Sequence, residues 1–315
     1  MRVAVTGAGG RLGRALLAAL EDAPFTGPLG PIAWDLPDHD LDDPSSPERL
    51  VRRDRPDAVV HTAAWTDVDG CAGDPALALR RNGDAVGDLA AVCVRAGADL
   101  VYISTNEVFD GRRTDGRGYG PADEPRPINP YGASKHAGEV AAQEAFLREG
   151  GGVAARAGSA PAGPQLAIVR TAWLYGPPGN DFPAKILAAA DRAAAAGEPL
   201  RVVGDETGSP TFAPDLADAI VELLAAGAFA GVHHVVNAGA ATRAAWAHAV
   251  LAAARLQVDV EEIALSSWSR RSAVPAWAVL APTPLPSGEP RRPWEAAFAE
   301  YVPHLLRGRS SGRGR

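Results

Sequence analysis

Residues 3–13 run VAVTGAGGRLG: a short apolar segment, a glycine-rich turn with Gly7, Gly10 and Gly13 three apart, and then RLGRALLAAL with helical period. Glycine is needed where a chain turns sharply or where backbone must approach a ligand closely. A helix N-terminus offers free N–H groups and the positive end of its dipole to an anion. With a strand before it and a helix after it, this turn predicts a pyrophosphate cradle, and so dinucleotide binding, with Arg11 and Leu12 leading into the helix.

The same alternation continues along the chain. DAVVHTA, LVYIST and LAIVRT are short apolar runs, and each is followed by a longer stretch of helical period. That pattern predicts an α/β, Rossmann-type doubly wound parallel sheet covered by helices on both faces. Asp35 closes another run, PIAWD. It stands about twenty residues beyond the loop, where an acid can accept from adenosine ribose hydroxyls. Arg11 and Arg14 are equally placed by sequence to meet a 2′-phosphate, which leaves NADPH and NADH both open. From residue 172 the pattern loosens into a Trp- and Pro-rich end. The expected division is a dinucleotide-binding domain over 1–171, completed by sheet segments at about 210–237. A smaller C-terminal substrate-binding domain takes 172–209 and 238–307. The Gly-, Ala- and Pro-rich stretch 148–164 reads as a surface insertion, and 308–315 as a disordered tail.

Composition narrows the partners. With 315 residues, 46% hydrophobic and a formal net charge of −7, the chain lacks the basic surface that sequence-independent nucleic-acid binding requires. No run of about eighteen apolar residues indicates a membrane span. The first residues begin a strand without a signal-like apolar core, so a cytoplasmic location is expected. Two cysteines cannot build a disulfide framework, and no Cys/His cluster offers zinc ligands.

Of 31 basic side chains only two are lysines, Lys135 and Lys185, in a chain otherwise shifted to arginine. Lys135 follows Tyr131 by four residues in NPYGASK, so on a helix the two share a face one turn apart. An ammonium beside a phenol is expected to lower the tyrosine pKa toward the working range of a general acid. A compact lysine also suits a bridge to the nicotinamide ribose better than a planar guanidinium. Upstream, LVYISTNEVFDG places Ser104 and Thr105 at a strand end, where hydroxyls can face the crevice. A Thr or Ser hydroxyl, a tyrosine and a lysine are the three roles a carbonyl reductase needs.

The stretches TGAGGRLG, HTAAWTDVDGCAGDP with the later Asn82, STNEVFDG, INPYGASKHAGE, VRTAWLYG, NDFPAKIL and VVGDETGSPTFAPDLADAI resemble the dTDP-4-dehydrorhamnose reductase family, within the extended short-chain dehydrogenase/reductases. The resemblance implies NADPH- or NADH-dependent reduction of the 4-keto group of a dTDP-linked 6-deoxyhexose. It also implies that Thr105, Tyr131 and Lys135 are the catalytic group and that Ala63 and Ala64 line the cofactor. Asn106, Glu107, Trp173, Asn180, Phe182, Ser209 and Thr211 are implied to lie near the nucleotide sugar. A homodimer is left open, and magnesium, used at a subunit contact by some members, has no carboxylate cluster here to receive it. The chain also departs from the family. Asn106-Glu107 replaces the usual Asp-Tyr, Glu206 a usual glutamine, and Val274 an arginine. Two other readings fit the residues: a ketoreductase for another sugar nucleotide, and a non-catalytic cofactor-binding subunit like the regulatory subunit of methionine adenosyltransferase.

Overall fold

The computed structural model describes residues 1–154 and 163–312. Strands β1 (Val3–Thr6), β2 (Ile32–Trp34), β3 (Ala58–His61), β4 (Asp99–Thr105) and β5 (Leu166–Thr171) form one sheet with a sixth strand, Gly231–His234. The order is Gly231–His234, β5, β4, β3, β1, β2, and every pairing is parallel. β1, β3 and β5 are buried at every position, as strands covered on both faces must be. The chain leaves β1 for β2 on one side and then crosses to β3 on the other. This opens the crevice at the carboxyl ends of β1 and β3 where ligands of such sheets bind.

Helix α1 (Arg11–Glu21) and the helix Ala213–Ala226 cover one face, burying Leu12, Leu16 and Leu20 with Leu216, Ile220 and Leu223. The helices Ala85–Ala96 and Pro130–Arg148 cover the other, with Leu89, Cys93 and Phe146 on Val59, Tyr102 and Ile168. A separate core gathers Tyr175, Trp246, Trp294, Phe298 and Tyr301 between the helices Phe182–Ala196, Arg243–Ala253 and Trp294–Gly312. Beside it, Leu200–Val203 pairs with Val260–Ile263, and Thr207–Gly208 lies between Ala241–Thr242 and Trp277–Ala278. The last helix continues through Gly312, into the stretch expected to be a disordered tail, and 313–315 lie outside the described residues. Residues 155–162 of the expected surface insertion also lie outside them. Its flanks are stitched to the sheet by the Leu166 N–H, which donates to Gly152 O at 2.8 Å.

The helical run after Pro75 is not regular. Pro75–Leu79 and Ala85–Ala96 are joined by a π turn at Arg80–Asp84, which turns Asn82 inward. The Asn82 amide is bound at both ends there. The Trp65 N–H donates to its Oδ1 at 2.8 Å, and its Nδ2 donates to Trp65 O at 2.9 Å and to Ser134 Oγ at 3.1 Å. These bonds offset the local irregularity, and wide turns of this kind recur beside functional sites.

Candidate active site

A cleft of about 730 Å³ opens at the crevice between the ends of β1 and β3. Gly7 has φ +61, and a Cβ there would stand 3.0 Å from the Ala63 backbone, so the first loop approaches the β3 loop as only glycine can. A Cβ on Gly13 would overlap Gly7 O and sit 2.8 Å from Ala8 Cα. Gly13 therefore packs the helix onto the loop from behind and does not line the cleft. Gly7, Gly10, Arg11, Leu12, Asp35, Ala63 and Ala64 do line it.

Thr6 locks this corner. Its Oγ1 accepts the N–H groups of Thr62 and Ala63, each at 3.1 Å, and its own proton goes to His61 Nδ1 at 2.8 Å. Burial holds the imidazole of His61 well below its ordinary pKa, so it is neutral, stacked on Tyr102 with ring centres 6.0 Å apart.

The arginines of the loop are already engaged. Arg11 donates through Nε to Gly176 O at 3.0 Å and through a terminal nitrogen to Gly179 O at 2.5 Å, while Arg14 bends back to Gly9 O at 2.7 Å. Asp35 accepts the Gly9 N–H at 2.5 Å and the Leu36 N–H at 2.9 Å, so it is held at the loop's edge.

Thr105 ends β4, and its hydroxyl accepts the Glu107 N–H at 3.2 Å, closing the short turn Asn106–Val108. The helix Pro130–Arg148 starts across the cleft. Asn129 caps it by accepting the Gly132 N–H at 2.7 Å, and Pro130 in the first turn spares an N–H that would have no partner. Gly132 admits the Glu107 backbone where a side chain would collide with it. Tyr131, Lys135 and Thr105 thereby converge on the cleft, with the Thr105 side chain hydrogen-bonded to the phenol.

Lys135 is only 3% exposed, and its Nζ lies over the Tyr102 ring at 4.2 Å. Burial lowers its pKa to about 7, against a smaller opposing pull from Glu139. The expectation that Lys135 lowers the Tyr131 pKa is corrected here. Burial and then the charge of Glu107 push the phenol upward, and the Thr105 hydrogen bond offsets them only in part. In a desolvated wall facing a carboxylate, the phenolate is the disfavoured form. Tyr131 therefore holds its proton, as a donor to a carbonyl must.

Below this group, Glu139 is fixed on the same helix one turn beyond Lys135. It accepts Arg170 Nε at 2.8 Å, a second Arg170 nitrogen at 2.7 Å and Ser104 Oγ at 2.6 Å. Burial works to raise its pKa, but Arg170, His136 and Ser104 overcome it and hold the carboxyl at about 2.

The family model described as RmlD substrate binding domain matches residues 1–307. The chain belongs to this family. Among its relatives, the dTDP-4-dehydrorhamnose reductase of Mycobacterium tuberculosis (strain CDC 1551 / Oshkosh) is 39% identical over 253 residues, covering 79% of this chain and 74% of that protein. The dTDP-4-dehydrorhamnose reductase of Streptomyces griseus is 36% identical over 313 residues, covering 96% and 93%. The solved dTDP-4-dehydrorhamnose reductase of Bacillus anthracis, in complex with NADP, superposes with a TM-score of 0.81 at 30% identity over 95% of this chain and 98% of that one.

The RmlD-type residues expected near the sugar divide into two groups. Asn106, Glu107 and Trp173 line the cleft. Trp173 has φ +42, lies flat against Trp246 at 5.8 Å, and carries the Arg243 guanidinium 3.6 Å over its ring. Asn106 also donates to Ala278 O at 3.3 Å. Asn180, Phe182, Ser209 and Thr211 are not among the residues that line the cleft. Phe182 packs on Trp246 at 4.7 Å, and Asn180 follows Gly179 in the loop gripped by Arg11. Ser209 is fully buried and its Oγ accepts the Leu280 N–H at 3.2 Å, while the Thr211 hydroxyl donates to Ser209 O at 3.2 Å. A hydroxyl next to a turn reads the same in sequence whether it faces ligand or core. Asn82 is a site-building residue that periodicity alone concealed, because the turn presenting it interrupts an otherwise ordinary helical pattern. Among the described residues no group of three or more His, Cys, Asp or Glu side chains is placed to hold a metal ion. No described helix is long and apolar enough to cross a membrane.

Proposed function

We propose that this protein reduces the 4-keto group of a nucleotide-activated 6-deoxyhexose to the alcohol, with dTDP-4-dehydro-L-rhamnose as the first substrate to test, using NADPH or NADH. The observation that carries this reading is the convergence of Thr105, Tyr131 and Lys135 on one cleft whose other end is a glycine cradle. The NADP in the Bacillus anthracis relative and the names of the relatives support it. The cradle fits a dinucleotide: a Cβ at Gly7 would fill the space against Ala63, and the N-terminus of α1 faces the same cleft. Gly7, Gly10 and the backbone N–H groups of Arg11 and Leu12 would hold the pyrophosphate, Asp35 the adenosine ribose, and Ala63, Ala64 and Lys135 the nicotinamide half.

The bound cofactor supplies a hydride to the ketone carbon. The residues of the chain orient the ketone and supply the proton. Thr105 hydrogen-bonds the carbonyl oxygen, and Tyr131, kept protonated by its surroundings, gives that oxygen its proton as the alcohol forms. Lys135 donates to the nicotinamide ribose hydroxyls.

Purified protein is mixed with enzymatically generated dTDP-4-dehydro-L-rhamnose, and NADPH and NADH oxidation are followed separately. Oxidation with formation of dTDP-L-rhamnose is expected. Tyr131→Phe should lose at least about a hundredfold in kcat while binding the cofactor as before. A wild-type protein that binds NADPH but oxidises none would sink the reading and favour a non-catalytic cofactor-binding role.

A further inference from the structure

Glu107 presents a carboxylate in the catalytic wall that the reduction described above does not use. It shares the turn of Thr105, whose hydroxyl accepts the Glu107 N–H at 3.2 Å, and both residues line the cleft. Its side chain is held by a neutral amide: Asn129 Nδ2 donates to Oε2 at 2.6 Å. The same Nδ2 is shared with Ala273 O at 2.8 Å, and the Asn129 Oδ1 is committed to capping the catalytic helix, so the amide that holds Glu107 is itself fixed.

Two guanidinium groups act on the carboxylate, and each is engaged with another acid. Arg243 donates twice to Glu206 Oε1, at 3.0 and 2.8 Å, and Arg270 stands 3.6 Å from Asp69. Glu206 adds a repulsive charge, and burial raises the Glu107 pKa, with Asn129 offsetting part of the rise. A carboxylate has about four acceptor positions, and with Asn129 as its side-chain donor this half-buried one keeps the others open toward the cleft. It stands ready to accept from a ligand.

The ligand's position is constrained by Thr105 and Tyr131, which must both reach the carbonyl oxygen. The next donor on a 6-deoxyhexose is the hydroxyl on the neighbouring ring carbon, since the other neighbour carries the methyl-bearing branch. We infer that Glu107 accepts a hydrogen bond from the hydroxyl adjacent to the reduced carbonyl, so that the cleft selects nucleotide sugars that retain this hydroxyl. The assignment rests on the sugar-nucleotide reading given above. A neutral hydroxyl suits the place better than an ammonium, because Arg243 and Arg270 already lie within electrostatic range of the carboxylate.

The test compares wild type, Glu107→Ala and Glu107→Gln on the dTDP-4-keto-6-deoxyhexose and on its analogues carrying hydrogen or an amino group in place of that hydroxyl. Glu107→Ala should lower kcat/KM on the full substrate about 10- to 100-fold more than on the deoxy analogue, any effect of the lost charge on the Tyr131 phenol falling on both substrates alike. Glu107→Gln keeps an acceptor and the shape, so it should fall between the two and stands in if the alanine variant is unstable. NADH affinity should be unchanged in both. Equal losses on the hydroxylated and deoxy substrates, or a wild-type preference for the amino analogue, would overturn the Glu107 assignment alone. A wild type inert on every sugar nucleotide would overturn the sugar reading with it.

Discussion

Lys135 shows how one residue's chemistry is set by what surrounds it. Burial drives its pKa to about 7, and Glu139, four residues later, restores only part of the loss. A charged ammonium donates a stronger hydrogen bond than a neutral amine. If Lys135 holds the nicotinamide ribose, NADH affinity should fall about five- to tenfold as pH rises through about 7, since deprotonation weakens the donor. Fluorescence titration with NADH across pH 6 to 8.5 checks this, NADH being preferred because a 2′-phosphate titrates in the same window. In Lys135→Met the slope should vanish. The Tyr131–Lys135 spacing was legible in the sequence because a helix repeats every 3.6 residues. The sign of the shift on Tyr131 was not, because Glu107 reaches the phenol from a separate turn and burial belongs to the assembled wall.

The helix Pro130–Arg148 is the element on which the site depends, and its inner face is built for close approach. Side chains at Gly132 and Gly138 would collide with the backbone of Glu107 and of Asn82. Its deepest anchor is Glu139, 2% exposed, bound to Arg170 on β5 and to Ser104 on β4. A carboxyl held at about 2 in the folded state, against an ordinary 4.5, stabilises the fold by about 3 kcal/mol. The lowered value sets the sign: this stabilisation is complete above about pH 4.5 and is lost as pH falls through about 2. Glu139→Gln leaves Arg170 buried without its counter-charge, and should cost about 3 to 5 kcal/mol in urea unfolding at pH 7. The acid side of its stability profile should be correspondingly flatter than that of wild type. The helix itself follows from local signals, with Asn129 as its cap and Pro130 in the first turn. The buried ion pair does not, since nothing in the spacing of Glu139 and Arg170, 31 residues apart, pairs them.

Across the whole molecule, long-range contacts tie the helices that cover the sheet to the segments beyond β5. Arg11 reaches from the phosphate loop to the carbonyls of Gly176 and Gly179. Arg292, just before the last helix, grips Asp215 on Ala213–Ala226 through two bonds of 2.7 and 2.6 Å. A dinucleotide that binds only the assembled cleft stabilises it by mass action, by about 2.7 kcal/mol at a hundred times Kd. Thermal unfolding with and without saturating NADH should show a rise of a few degrees, and an unchanged midpoint would argue against cofactor binding. The α/β class, the glycine cradle and the Tyr/Lys pair could be read from the chain alone, because each is written in short-range periodicity and residue type. Tertiary structure alone decided that Arg11 is spent on backbone carbonyls, that the Asn82 amide ties the Trp65 backbone to Ser134, and that Ser209 and Thr211 sit in the interior. Exposure, charge neighbours and hydrogen-bond partners depend on segments remote in sequence, and they come into being only when the sheet and its helices close on one another.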